Sequence, residues 1–418
     1  MSFIIAAPAS GSGKTTVTLG LLRALAHKGI AVRGAKSGPD YIDPRFHAAA
    51  CGQPCLNLDA WAMLPDRIRS LAAGPPLIIE GAMGLFDGAP PDGKGATADI
   101  ARILGLPVIL VVDAGRMAQS VAPLVAGFAG HDLEVTIAGV VLNNVGSARH
   151  ETTLRDALAP LGLPILGCLP RSAALHHPSR HLGLVQAEER EDLGAFLDAA
   201  AALVREHVTI SDLPPLTTIT APAAHPKTLP PAQSIAIAQD AAFAFAYPHL
   251  LADWRAQGAK VTPFSPLAND PVPEADFVFL PGGYPELYAA QLAANQIFMA
   301  SLRCAAQTTS VYGECGGYMV LGETLIDADG TTHAMAGLLP LSTSFSHRKR
   351  HLGYRTVTAT DGPFLGTWRA HEFHYATTVK AHGTPLFKAT DATGTELPPM
   401  GLTLGRVSGS FAHLIDQA

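Results

Sequence analysis

Two short stretches carry residue types that could do phosphate or covalent chemistry. The first is Ala7-Pro8-Ala9-Ser10-Gly11-Ser12-Gly13-Lys14-Thr15-Thr16. It follows the apolar run Phe3-Ile4-Ile5-Ala6 and opens an amphipathic segment, Val17 to Lys28, so it reads as strand, glycine loop and helix. The N–H groups of such a loop converge on a β-phosphate at the positive end of the helix. Gly11, Ser12, Gly13 and Thr16 would form the cradle. Lys14 would reach the β- and γ-phosphates, and the Thr15 hydroxyl would ligate Mg²⁺. Pro8 stands where the full pattern has a glycine, so the loop is a deviant variant. The second stretch is Gly313-Glu314-Cys315-Gly316-Gly317, between a β-like run near Thr309–Tyr312 and a helical segment, Tyr318 to Leu321. It is a nucleophile elbow with cysteine in the serine position, and its glycines permit the sharp turn. A helix N-terminus after Cys315 lowers the thiol pKa and supplies N–H groups to an oxyanion.

Both stretches need elements to hold them. The first half alternates β-like runs with helical patterns, the mark of a parallel sheet flanked by helices. After the first strand come Ile30–Ala35, Leu77–Ile79, Val108–Val112, Thr136–Leu142 and Pro164–Leu166. Open α/β sheets place ligands at the carboxyl ends of such strands. Two acidic clusters stand there: Asp40 and Asp43 in Lys36-Ser37-Gly38-Pro39-Asp40-Tyr41-Ile42-Asp43-Pro44, and Glu80 and Asp87 in Glu80 to Gly88. Glu80 ends Leu77-Ile78-Ile79, as a metal-linked acid should. A second α/β unit begins at Ser234–Ala238. Its strand Phe277–Leu280 runs into Pro281-Gly282-Gly283-Tyr284-Pro285-Glu286, a glycine turn suited to an oxyanion hole built from Gly283 and Gly316. Near the end, Gly409-Ser410-Phe411-Ala412-His413 offers His413 as the thiol's general base, one of seventeen histidines, distinguished by its company.

The expected division is therefore residues 1–204 as a P-loop domain, 205–233 as a Pro-, Thr- and Ala-rich linker, and 234–418 as a second α/β domain. The chain has 418 residues, of which 48% are apolar, and a net charge of −6. Nothing in that balance calls for nucleic acid. The five cysteines are odd in number and widely spread, which fits a reduced cytoplasmic setting. Neither a signal peptide nor an apolar run of about 20 residues is visible, so no membrane partner is expected. Cys51, Cys55 and His47 lack a fourth ligand at zinc spacing. Magnesium is the only metal indicated.

The Cys315 elbow and the Ser-Phe-Ala-His stretch resemble the triad-class glutamine amidotransferases of the cobyrinate/cobyrate synthase type. That resemblance implies that Cys315 attacks the glutamine side-chain amide and that His413 shuttles the proton. Many triad enzymes carry His-x-Glu here. This chain reads His413-Leu414-Ile415, as the cobyrinate type does, so the histidine's partner is open. Taken whole, the chain resembles the cobyrinic acid a,c-diamide synthase family, whose hydrogenobyrinic members serve vitamin B12 synthesis. The family's N-terminal fold is like dethiobiotin synthetase.

The resemblance implies a ligase that uses ATP and glutamine to amidate the carboxylates of a corrinoid tetrapyrrole. Thr15, Asp43 and Glu80 would hold Mg²⁺, Asp40 and Asp87 would bind or activate substrate carboxylates, and Asn143 would lie near the adenine. A homodimer is the expectation from the fold family. Trp368 to Tyr375 is similar to a Gly-His-Glu-Phe-His stretch of that family, with Ala370 for glycine. Its His371 and His374 would either contact a tetrapyrrole carboxylate or lie on one face of a strand. Ser346 to His351 is either a steering patch for a polyanion or a solvated basic turn. Cobyric acid synthase and nickel-sirohydrochlorin diamide synthase share these motifs. A partition-type P-loop switch shares the first half but has no use for a cysteine elbow.

Overall fold

In the computed structural model, residues 2–172, 179–180, 183–184, 186–220 and 227–418 are described. The chain divides into Met1–His225 and Pro226–Ala418. The first unit runs β1 (Phe3–Ala6), α1 (Lys14–His27), β2 (Arg33–Ser37), α2 (Asp43–Cys51), β3 (Leu56–Leu58), α3 (Pro65–Ala72), β4 (Leu77–Glu80) and α4 (Thr97–Leu104). It continues with β5 (Val108–Asp113), α5 (Val121–Gly130), β6 (Ile137–Val145), α6 (Ala148–Leu158), β7 (Ile165–Pro170) and α7 (Leu193–His207). The seven strands are parallel in the order β3-β2-β4-β1-β5-β6-β7. Central strands read as unbroken apolar runs, Phe3-Ile4-Ile5 and Val108 to Val112, because both faces are covered by helices. Three-residue β3 is too short to show any period, and the sequence pattern does not reveal it.

Helix α7 buries Phe196, Leu197, Ala200, Ala201 and Val204, one stripe at helical spacing. It packs on α1 in the same core as Val17, Leu21 and Leu25. A Cβ on Gly20 would lie 2.4 Å from Val204 Cγ2 and 2.6 Å from the Ala200 carbonyl, so a glycine lets the two helices meet. The expected linker is largely occupied. Its first residues complete α7. Val208 then bridges Gly167, Thr217 accepts the Ser2 hydroxyl at 3.2 Å, and Ile219 bridges Gly74. An extended Pro- and Thr-rich chain satisfies its backbone by lying along the first unit. On the far side Thr228 joins the second unit through Asp253 and Asp416. Residues 221–226 of the expected linker lie outside the described residues.

In the second unit Lys260–Phe264, Ser234–Ala238, Phe277–Leu280, Ser310–Glu314 and Val407–Ser410 form a parallel sheet in that order, with Leu402–Leu404 antiparallel at one edge. A five-stranded antiparallel sheet has the order Glu396–Met400, Phe387–Asp391, His351–Ala359, Gly366–His374, Ala412–Gln417. The chain passes from one sheet to the other at Phe411, a single residue between Val407–Ser410 and Ala412–Gln417. Phe364 sits among Tyr312, Trp368, Phe277 and Trp254, with ring centroids 4.9–6.3 Å away. A four-stranded sheet, Thr332–Ala334, Thr324–Ile326, Leu341–Ser344, Thr377–Ala381, completes the unit.

Candidate functional site

The first centre forms where β1, β2, β4 and β6 end. Gly11 (φ 80°) and Gly13 (φ 98°) take left-handed backbone, which favours glycine. Gly13 has a second reason to lack a side chain, since its Cβ would lie 2.1 Å from Asn143 Nδ2. Asn143 Nδ2 donates to the Ser12 carbonyl at 3.0 Å. Asn143 thus braces the phosphate loop from the end of β6. Ser12 Oγ closes the loop on the Ala9 carbonyl. Lys14 is buried, and its Nζ donates to the carbonyls of Met83 (2.6 Å) and Ala9 (3.3 Å). Burial and the nearby Lys36 charge hold the Lys14 pKa below its ordinary value. Thr15 and Thr16 are half-buried in the first turn of α1.

Thr15 Oγ1 donates to Glu80 Oε1 at 2.7 Å. The register of β2 on β4 sets Lys36 opposite Glu80, and Lys36 Nζ lies 2.9 Å from Glu80 Oε1 and 2.5 Å from Asp43 Oδ2. His47 Nε2 meets Glu80 Oε2 at 2.7 Å, and its Nδ1 faces the Cys55 thiol at 3.4 Å. All these groups except Thr15 are buried. Burial opposes charge on Lys36, yet the two carboxylates hold its pKa above the ordinary value. Glu80 is held below the usual range: burial is outweighed by the Lys36 charge and by hydrogen bonds from His47 and Lys36. Asp43 goes the other way, pushed up to about 8 by burial and Asp40 against the pull of Lys36. Lys36 lies nearer Asp43, yet Glu80 is the acid held ionised, because His47 and Thr15 donate to it as well.

Asp40 Oδ1 accepts the N–H of Ile42 (2.7 Å) and of Asp43 (3.2 Å), so it fixes the entry to α2. Asp87 Oδ2 accepts the Gly84 N–H at 2.9 Å, and Leu85 N–H bonds the Ala7 carbonyl. That pins the loop after β4 to the phosphate loop. The sequence pattern singles out Asp43 and Glu80 but gives no role to Lys36 and weighs His47 only as a zinc ligand. Their signal is a lysine at the end of the strand next to the acid and a histidine one helical turn after Asp43.

The second centre is the cysteine elbow. Cys315 has φ 46° and ψ −102°, a strained conformation between Ser310–Glu314 and the helix Gly316–Leu321. Glycines let the turn approach its neighbours: a Cβ on Gly317 would lie 1.9 Å from the Leu280 carbonyl, and one on Gly316 would lie 3.0 Å from the Gly283 nitrogen. Gly283 and Gly316 therefore lie against each other at the turn that carries Cys315. A Cβ on Gly282 would strike the His413 ring at 2.2 Å. Cys315 N–H bonds the Ser410 carbonyl at 2.8 Å, and the Cys315 thiol donates to the Phe373 carbonyl at 3.8 Å. Burial, then the Glu286 charge, raise the thiol pKa. His413 is pushed down to about 3 by burial and by His371 and His374.

His371 and His374 do not share a face, because side chains alternate along a strand and the two stand three apart. His371 lies opposite His413 and against Tyr354. His374 stacks on Phe411 and bonds Glu372 Oε1 at 2.9 Å. Ligand atoms of His351, Glu372 and His374 lie within 4.8 Å of one another. Glu372 Oε2, however, takes two Arg355 nitrogens at 2.9 Å, so the cluster is an ion-paired network with its cation already present. Residues 347–350 are exposed, as a solvated turn would be.

Known families match both units. The CobQ/CobB/MinD/ParA nucleotide-binding domain matches residues 3–185, and the CobB/CobQ-like glutamine amidotransferase domain matches residues 234–418. The hydrogenobyrinate a,c-diamide synthase of Rhizobium meliloti is 55% identical over 99% of this chain and 98% of its own. The protein of the same name from Rhodobacter capsulatus is 52% identical over 98% of each. Among the described residues no helix is long and apolar enough to cross a membrane. A phosphate-loop sheet and a cysteine elbow in one chain, and relatives matched along nearly their full length, place this chain in the hydrogenobyrinate a,c-diamide synthase family of glutamine-dependent amide ligases.

Proposed function

We propose that the chain converts the a and c carboxylates of hydrogenobyrinic acid into amides, in the cytoplasm, with ATP as activator and glutamine as nitrogen source. The observation that carries the reading is one chain holding both centres: Lys14, Thr15, Asp43 and Glu80 at the sheet of the first unit, and Cys315 and His413 on two adjoining sheets of the second. Thr15, Asp43 and Glu80 offer only oxygen atoms, and the Thr15 hydroxyl and Glu80 Oε1 already lie 2.7 Å apart. That donor set suits Mg²⁺, which when bound would neutralise phosphate charge. Lys14 and the N–H groups around Gly11, Ser12, Gly13 and Thr16 bind the phosphates. Asp40 and Asp87 order the loops against which the substrate carboxylate is presented.

The γ-phosphoryl group passes to a carboxylate oxygen, leaving ADP and an acyl phosphate. Ammonia attacks that carbonyl, the C–N bond forms, and inorganic phosphate leaves. The ammonia comes from glutamine. The Cys315 proton moves to His413, Sγ bonds to the amide carbon, and the N–H groups of Gly283 and Gly316 face the oxyanion. The proton then goes to the departing ammonia, and water hydrolyses the glutamyl thioester. Mass spectrometry tests the reading. Protein, Mg-ATP and glutamine are incubated with hydrogenobyrinic or cobyrinic acid in separate tubes. Two amidations and no more are expected. Four from the diamide would make the chain a cobyric acid synthase, and ATP hydrolysis without amidation of either pigment would overturn the reading.

A further inference from the structure

His413 lacks the acid that many triad amidotransferases carry two residues later; position 415 is a buried isoleucine. The fold supplies an acid from the other side. His413 Nδ1 lies 3.7 Å from Glu314 Oε2, and the two residues are 1% and 4% exposed. Glu314 is held in place, since its Oε1 accepts the N–H of Leu414, the residue after His413, at 3.1 Å. Its own neighbour is the nucleophile. The glycine turn against the ring is anchored in its turn: Phe245 N–H donates to the Gly282 carbonyl at 2.9 Å, and a Cβ on Gly282 would lie 2.2 Å from His413 Cε1.

We propose that Glu314 is the positioning residue of the glutaminase centre, fixing the His413 ring and balancing the positive charge it gains when the thiol gives up its proton. This rests on the glutaminase reading above. An acid in this place acts in a dry pocket, where one opposite charge counts for far more than in water. Catalytic contacts of this length commonly tighten once substrate is bound. The other acids nearby are otherwise engaged. Glu372 is held by Arg355 and His374, and Glu286 bears on Cys315, where its charge opposes a thiolate.

Of the groups facing His413, His371 and His374 disfavour a charged imidazole and Glu372 favours it. Burial pushes Glu314 up to about 8, against the Leu414 N–H and the Tyr312 hydroxyl. The resting pocket therefore keeps both partners neutral, and glutamine hydrolysis should rise with pH as Glu314 ionises.

Glu314→Gln separates this role from a structural one, because an amide oxygen still accepts the Leu414 N–H while the charge is gone. Ammonia release from glutamine and ammonium-driven amidation are measured across pH in both proteins. The expected result is a fall of about 100-fold in glutaminase kcat at little change in KM, with the rise toward pH 8 abolished and ammonium-driven amidation kept. A wild-type kcat and pH profile in Glu314→Gln would overturn the proposal. If that variant loses ammonium-driven activity as well, Glu314→Asp decides: it keeps an acid but withdraws it by one methylene. A folded Glu314→Asp with wild-type kcat overturns the proposal, and one with reduced kcat supports it. No ammonia release by the unsubstituted protein would instead remove the glutaminase reading itself.

Discussion

The two centres bury their ionisable groups to opposite ends. Around Glu80 one charged pair survives burial: Lys36 stays protonated, Glu80 stays ionised, and His47 and Thr15 add donors, while burial and Asp40 push Asp43 up. Around Cys315 burial suppresses charge, with the thiol raised, His413 down to about 3 and Glu314 up to about 8. The difference follows the chemistry. A phosphate site meets a substrate that is already charged, so a charged pair such as Lys36 and Glu80 is in place beforehand. A glutaminase meets a neutral amide, and its ion pair is wanted only while the thioester forms.

The sharpest way to break this comparison is Cys315→Ala. It should abolish glutamine-dependent amidation and leave ammonium-driven amidation, both read by mass spectrometry of the pigment. Loss of both would make Cys315 structural. Glu80→Gln should do the reverse, cutting amidation from either nitrogen source by about 100-fold while ammonia release from glutamine continues. Chelation of divalent metal should mimic it, and unchanged turnover in EDTA would remove Thr15, Asp43 and Glu80 from a metal site.

Lys36→Met leaves two buried acids facing each other without their cation. Breaking a buried pair costs about 3–5 kcal/mol, which calorimetry should show as a loss of stability together with loss of amidation. Phe364→Ala removes the ring at the centre of five aromatics in the second unit and should cost about 3–5 kcal/mol. Gly20→Ala forces a methyl group between α1 and α7 and should cost about 1–3 kcal/mol. If denaturation of the last two variants moves a single shared transition rather than separate ones, the units unfold together.

The phosphate loop and the elbow are legible in the chain because each is a local device. A handful of neighbours, Gly11 to Thr15 or Gly313 to Gly317, sets backbone, donor and charge at once, and no distant residue is needed to see it. The apolar strands β1, β4 and β5 are legible for the same reason, being buried on both faces. Other features depended on register. Lys36 meets Glu80 only because β2 lies beside β4, and no spacing along the chain records that pairing. Asn143 was legible as a strand-end residue, but its bond to Ser12 spans 131 positions.

What the sequence determined alone was the chemistry available: a phosphate loop, acids at strand ends, a cysteine on a glycine turn and a histidine near the tail. What only the tertiary structure decided was which groups face each other and whether they carry charge. Glu314 shows the reason. In the chain it is simply the residue before Cys315, one hundred positions from Leu414. The crossing from one sheet to the next at Phe411 sets it beside His413 and buries both. Burial, a property of the packed fold, then moves their proton affinities in opposite directions.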